Sequence, residues 1–243
     1  MSALAARMID EDAVLIAKGV VRHQVFDPSE YSKGAASSNP ASPGPITSFL
    51  PSLGLLSIKE VSPFNQSLED NEYAYYKNLL EDKDTPEMKK FITQVLSSCT
   101  PLLLEHFVNS IDEIKLDDVF CISYNSSQHD SRCAKHQDPS DITVNICLER
   151  TEDLGGSQIM FHGTKQLKSS TSSSTPSTPS TPSTPTEEEV FLVDTRLGCC
   201  TIHYGAHPHE TSVLTSGERT NIVLTFVYAD QNKSGADRTC YAY

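Results

Sequence analysis

The spacing of apolar residues changes period partway along the chain. Over residues 85–108 they recur at helical intervals, with Met88, Phe91, Ile92, Val95 and Leu96 forming one stripe. Thr85 ahead of Pro86 and Glu87 predicts an N-cap with proline at the first helical position. The same spacing predicts a helix over residues 67–80. Beyond Ile114 the texture turns to short β-favouring runs, over residues 119–124, 142–148, 158–161, 190–193, 199–203 and 220–228. In the run DITVNICL, Asp141, Thr143, Asn145 and Cys147 fall on one face, and Ile142, Val144, Ile146 and Leu148 on the other.

Helices first and many strands later predict an α+β fold, with helices packed on one sheet of a sandwich or jelly roll. The organisation expected is an N-terminal segment (residues 1–50) with a Ser/Pro-rich tether over 31–51, a helical support region (51–115), a β core (116–230) and a short tail (231–243). Residues 169–186 contain only Ser, Thr and Pro and have no apolar side chain to bury. They predict a disordered insertion at a hairpin tip, tolerated because loop-closure entropy grows slowly with length. Phosphorylation of its Ser/Thr-Pro sites is the lesser reading.

Composition narrows the partners. At 243 residues the chain can bury a full core, and 19 basic against 32 acidic residues give a net charge of −13. That balance excludes a surface built to neutralise phosphates, so nucleic acid is not an expected partner. Seven cysteines without a framework spacing suit reduced thiols in a cytoplasmic, or nuclear, setting. The apolar stretch over residues 13–21 is broken by Lys18 and Gly19, and neither a secretory signal nor a membrane partner is expected. Acceptor patterns at Asn65, Asn125 and Asn232 are then chance.

The chemistry concentrates in two separated patches, HQD at His136 to Asp138 and HETSVLTSGER at His209 to Arg219. On an extended strand, side chains at i and i+2 share a side, so His136 and Asp138 could act together. A distant third histidine would complete one face of an octahedron, the ligand set of non-haem Fe(II) oxygenases. His203, His207 and His209 are the candidates for that place. Cys199 and Cys200 beside them raise a zinc reading, weakened because neighbours on a strand point to opposite faces.

HxD at His136 and Asp138, TVN at Thr143 to Asn145, the Gly155–Gly156 pair with IMF after it, and the run from His207 to Phe226 together resemble the Fe(II)- and 2-oxoglutarate-dependent dioxygenases. The nearest likeness is to the prolyl and lysyl hydroxylase branch. There a distal ligand histidine is followed eight positions later by glycine and ten later by a basic residue. His209, Gly217 and Arg219 fit that register, and His207 does not.

The resemblance implies a double-stranded β-helix core in which His136, Asp138 and His209 hold Fe(II). It gives Arg219 the remote carboxylate of 2-oxoglutarate, for which a guanidinium fork is suited. Tyr124 would hydrogen-bond the cosubstrate, Thr143 or Asn145 would line its pocket, and Glu210 would orient an imidazole. The reaction implied is O2-dependent conversion of 2-oxoglutarate to succinate and CO2 with hydroxylation of a protein or peptide side chain, ascorbate being admitted as a reductant. A nucleobase substrate is disfavoured by the absence of tryptophan. The competing reading is a non-catalytic jelly-roll interaction module with a proline-rich arm.

Overall fold

The computed structural model describes residues 6–27, 75–79, 81–127, 132–168 and 189–235. Within them the chain is mostly β-sheet with few helices. Six strands form one sheet in the order β2 (Val20–Gln24), β9 (Cys199–Tyr204), β5 (Ile142–Arg150), β12 (Glu218–Tyr228), β4 (Ile114–Asn125), β3 (Tyr75–Asn78). Every neighbouring pair in it is antiparallel. A smaller sheet runs β1 (Arg7–Met8), β8 (Val190–Val193), β7 (Ile159–His162), β10 (His209–Thr211), and β11 (Leu214–Ser216) pairs with β6 (Gly155–Gly156).

The two faces of the large sheet have different fates, and β5 makes the division plain. Ile142, Val144, Ile146 and Leu148 pack with Met88, Phe91, Val95, Cys99 and Leu103 of the long helix α2 (Pro86–His106) in one apolar cluster. Thr85 caps that helix as its sequence predicts, its hydroxyl accepting from the Met88 amide at 3.3 Å. The other face of β5 carries Thr143 and Cys147, both buried, and looks toward the smaller sheet. A second apolar cluster, including Leu15 of the short helix α1 (Asp12–Ala17), Val20, Phe161 and Phe191, seals that sheet.

Two expectations change. Part of the helix expected over 67–80 is the edge strand β3, whose Tyr75–Asn78 pair with Ser123–Phe120 of β4; the remainder lies outside the described residues. Helical spacing in a short segment yields here to the backbone hydrogen bonds an open sheet edge offers. The pair at His136 and Asp138 is also not on a regular strand, since His136 makes only an isolated antiparallel bridge with His209. The tether over 31–51 and the insert over 169–186 lie outside the described residues, and the latter connects the neighbouring antiparallel strands β7 and β8. No described helix is long and apolar enough to cross a membrane.

Candidate metal centre

A single bridge brings the two sequence patches together. The His136 amide donates to the His209 carbonyl, and the His209 amide to the His136 carbonyl, both at 2.9 Å. The Asp138 amide donates to Gly205 O at 2.9 Å, fixing the third residue relative to the same turn. The side chains then converge: Asp138 Oδ1 lies 3.4 Å from His136 Nε2 and 3.7 Å from His209 Nε2. One donor atom from each of the three falls within 4.8 Å of the others, an arrangement that could hold one metal ion.

Both imidazoles are turned by their backbone. His136 Nδ1 lies 2.7 Å from Ala134 O, and His209 Nδ1 lies 2.9 Å from His207 O. A carbonyl only accepts, so Nδ1 keeps a proton in each ring and Nε2 is the nitrogen that a cation would occupy. Asp138 is steadied from behind by the Thr143 hydroxyl, which donates to Oδ2 at 2.5 Å. Thr143 therefore orients a carboxylate rather than simply lining a pocket. Glu210 accepts from His162 Nε2 at 2.8 Å and orients neither His136 nor His209.

The electrostatics fit a site that wants a cation. Burial opposes charge on Asp138, but His209, His136 and His203 and the Thr143 hydrogen bond hold its carboxyl well below the usual range. Burial works against the His136 imidazolium too, yet Asp138 and Cys133 raise it to about 11. Burial keeps His209 below its ordinary value. Cys133, whose Sγ lies 3.5 Å from His136 Nδ1, had no signal in the sequence, because its relevance rests on a loop conformation.

Arg219 is almost fully buried, with 2% of its surface exposed. Its Nη1 donates to Ser157 O at 2.7 Å and its guanidinium lies 5.0 Å from the centre of the Tyr124 ring. Among the described residues no carboxylate pairs with it, and Nε has no partner. Burial accordingly lowers its pKa. Ser157 adopts a positive φ of 62°, sparsely populated for a side-chain-bearing residue, and its buried Oγ is also unpartnered. Asn145 Oδ1 accepts from Asn221 Nδ2 at 2.5 Å and lines an inter-sheet recess with Cys147, Thr201 and Asn221.

The remaining histidines and cysteines separate. His207 packs against Phe161 and Phe191 with Nε2 on Gly163 O at 3.2 Å, away from the triad. Cys200 Sγ meets Cys99 Sγ at 3.9 Å in the main core, while Cys199 Sγ donates to Gln24 Oε1 at 3.1 Å. The adjacent thiols thus do not converge on one ion.

No protein-family profile matches the sequence, and no curated protein matches it. Solved structures do match in fold. AviO1 from Streptomyces viridochromogenes Tue57 is 11% identical, with 90% of this chain and 96% of that one covered at a TM-score of 0.53. A prolyl hydroxylase from Trichoplax adhaerens, in complex with a hypoxia inducible factor oxygen degradation domain peptide fragment, is 15% identical over 88% of this chain and 86% of its own, at 0.51. The epimerase SnoN, in complex with Fe3+, alpha ketoglutarate and nogalamycin RO, is 14% identical over 90% and 82%, at 0.50. The chain therefore resembles the 2-oxoglutarate/Fe(II) oxygenases, prolyl hydroxylases among them, and at these identities the likeness is one of fold.

Proposed function

We propose that the protein is an Fe(II)- and 2-oxoglutarate-dependent dioxygenase that hydroxylates a protein or peptide side chain. The observation that carries this is the convergence of His136, Asp138 and His209 donor atoms within 4.8 Å of one another on a fold shared with such enzymes. In this reading the strands of residues 116–230 in the two facing sheets form a double-stranded β-helix, with β1, β2 and β3 added at the sheet edges, the helical region 51–115 as support and the segments 1–50 and 231–243 flanking it. Six described cysteines are free, which suits a reducing, cytoplasmic setting and a ferrous ion.

The residues fit the groups they would hold. Two neutral imidazoles and one carboxylate make a facial set that leaves positions open for a chelating cosubstrate. At the other end, a buried guanidinium that pairs with no acid among the described residues and the orphaned Ser157 hydroxyl supply what a carboxylate needs, since an unpaired buried charge is costly until an anion meets it. Tyr124 supports Arg219 from beneath, and Asn145 offers polar lining between the ends. Bound ferrous iron supplies the activation of O2 coupled to loss of CO2 from 2-oxoglutarate. The chain's own part is to orient: the two Nδ1–carbonyl hydrogen bonds aim the imidazoles, Thr143 holds Asp138, and the closed Arg219 end excludes water.

A peptide substrate is supported by the asymmetry of the site. The His136 side chain is 30% exposed, so this end opens to solvent and could admit an extended chain. The Trichoplax adhaerens relative is complexed with a peptide, whereas SnoN is complexed with nogalamycin RO.

The test is succinate release from 2-oxoglutarate by the purified chain with Fe(II) and ascorbate. Slow turnover abolished by His136→Ala is expected. If the chain neither binds 2-oxoglutarate in the presence of Fe(II) nor turns it over, the interaction-module reading takes its place. Capture of substrates with an oxygen-blocking analogue of the cosubstrate, read as a mass gain of one oxygen on captured peptides, then checks the substrate class.

A further inference from the structure

A third imidazole faces Asp138. His203 lies on β9 directly across from Thr143 of β5, with 1% of its side chain exposed. Its ring stands edge-on to that of His209 at 4.7 Å between centres, and at 5.1 Å from Phe161. Its Nδ1 lies 3.0 Å from the Tyr204 carbonyl. As for His209, a carbonyl partner places the proton on Nδ1 and leaves a lone pair on Nε2. That Nε2 stands 4.0 Å from Asp138 Oδ2, beyond hydrogen-bond length.

His203 and His209 therefore turn acceptor nitrogens toward one carboxylate, and His136 Nε2 becomes a third once a cation has displaced its proton. An acceptor facing an acceptor is unfavourable in a buried site unless a proton donor or a cation comes between them. The triad donors lie within 4.8 Å of each other and His203 is not among them, so it is set one layer back from the ion they would hold. The gap suits one small donor.

We infer that His203 is a positioning residue of the centre, its Nε2 accepting a hydrogen bond from a water bound to the metal held by His136, Asp138 and His209. The inference rests on the metal reading of the triad and adds a residue to it. A metal-bound water is a stronger donor than a free one, and a partner in this layer typically changes metal affinity by about 10–100-fold. His207 provides the matched control: it is also buried and also packs on Phe161, but its Nε2 is taken up by Gly163 O.

The experiment titrates the full-length chain with Mn(II) and with Fe(II) under nitrogen, for wild type, His203→Phe, His207→Phe and Asp138→Ala, alongside thermal melting of each. Water-proton relaxation of the Mn(II) forms reports the bound water. The expected result is that His203→Phe binds Mn(II) and Fe(II) at least about tenfold more weakly, with altered relaxivity, while His207→Phe binds as wild type does. His203→Gln, which restores an acceptor, recovers part of the loss. Equal affinities for His203→Phe and wild type, or equal losses in the two phenylalanine variants, overturn the inference and leave His203 as packing. Failure of the wild type to bind either ion, or indifference to Asp138→Ala, instead overturns the metal reading itself.

Discussion

Two arginines are buried against the inter-sheet space, and the chain treats them oppositely. Arg22, on β2, donates through Nε to Asp12 Oδ1 and through Nη1 to Asp10 Oδ1, both at 3.0 Å, and through Nη2 to Asp10 O at 2.5 Å. Arg219, on β12, is more deeply buried, yet its described partners are a carbonyl and an aromatic face. Burying a guanidinium without an anion costs free energy that folding does not recover. The contrast separates an arginine whose charge is answered by aspartates of the chain from one that no acid among the described residues answers, and to which the proposed function gives a carboxylate from outside.

Four substitutions or conditions sharpen that contrast. The largest effect expected is for Arg219→Leu, which weakens 2-oxoglutarate binding by about 100-fold, the worth of two charge-assisted hydrogen bonds. Calorimetric titration in the presence of Mn(II) measures it, and metal affinity should stay within about twofold of wild type, as no ligand contact is touched. A loss of fold stability with no change in cosubstrate binding would make Arg219 another Arg22.

Protons should matter at the other end of the site. With His136 raised to about 11, the metal-free protein carries a proton there throughout the neutral range, and a cation must expel it. Metal affinity therefore rises with pH, by about tenfold per unit between about pH 7 and pH 9, because the proton competes and is released on binding. A flat profile would mean that His136 is not a ligand. Thr143→Val keeps the shape and removes the hydrogen bond to Asp138 Oδ2; about tenfold weaker metal binding is expected, with thermal stability little changed. The smallest effect belongs to Arg22→Met. Its aspartates are 66% and 60% exposed and can return to water, so unfolding in urea should report a loss of about 1 kcal/mol, with cosubstrate affinity unmoved.

Much of the candidate site was legible before the fold, and the reasons are local. The alternation in β5 separated Thr143, Asn145 and Cys147 from the apolar residues that meet α2, since a strand has only two faces. Between His207 and His209 no local period decides; the likeness to the hydroxylase branch, through the register His209, Gly217 and Arg219, favoured His209, and in the structure His207 Nε2 lies against Gly163 O. The opposite faces of Cys199 and Cys200 followed from the same period of two. Less was legible where partners come from another element. Edge pairing made a strand of Tyr75–Asn78 against its helical spacing, and Glu210 found His162 on a neighbouring strand.

By itself the sequence determined which side chains are available and which share a face, because backbone geometry sets those periods without reference to the rest of the molecule. It thereby limited the chemistry to a few imidazoles, one carboxylate and one guanidinium. Only the tertiary structure decided that His136 and His209 bridge, that Ser157 meets Arg219, and that His203 stands behind Asp138. Those are contacts between residues scores of positions apart, and packing of two sheets, not any local period, selects them.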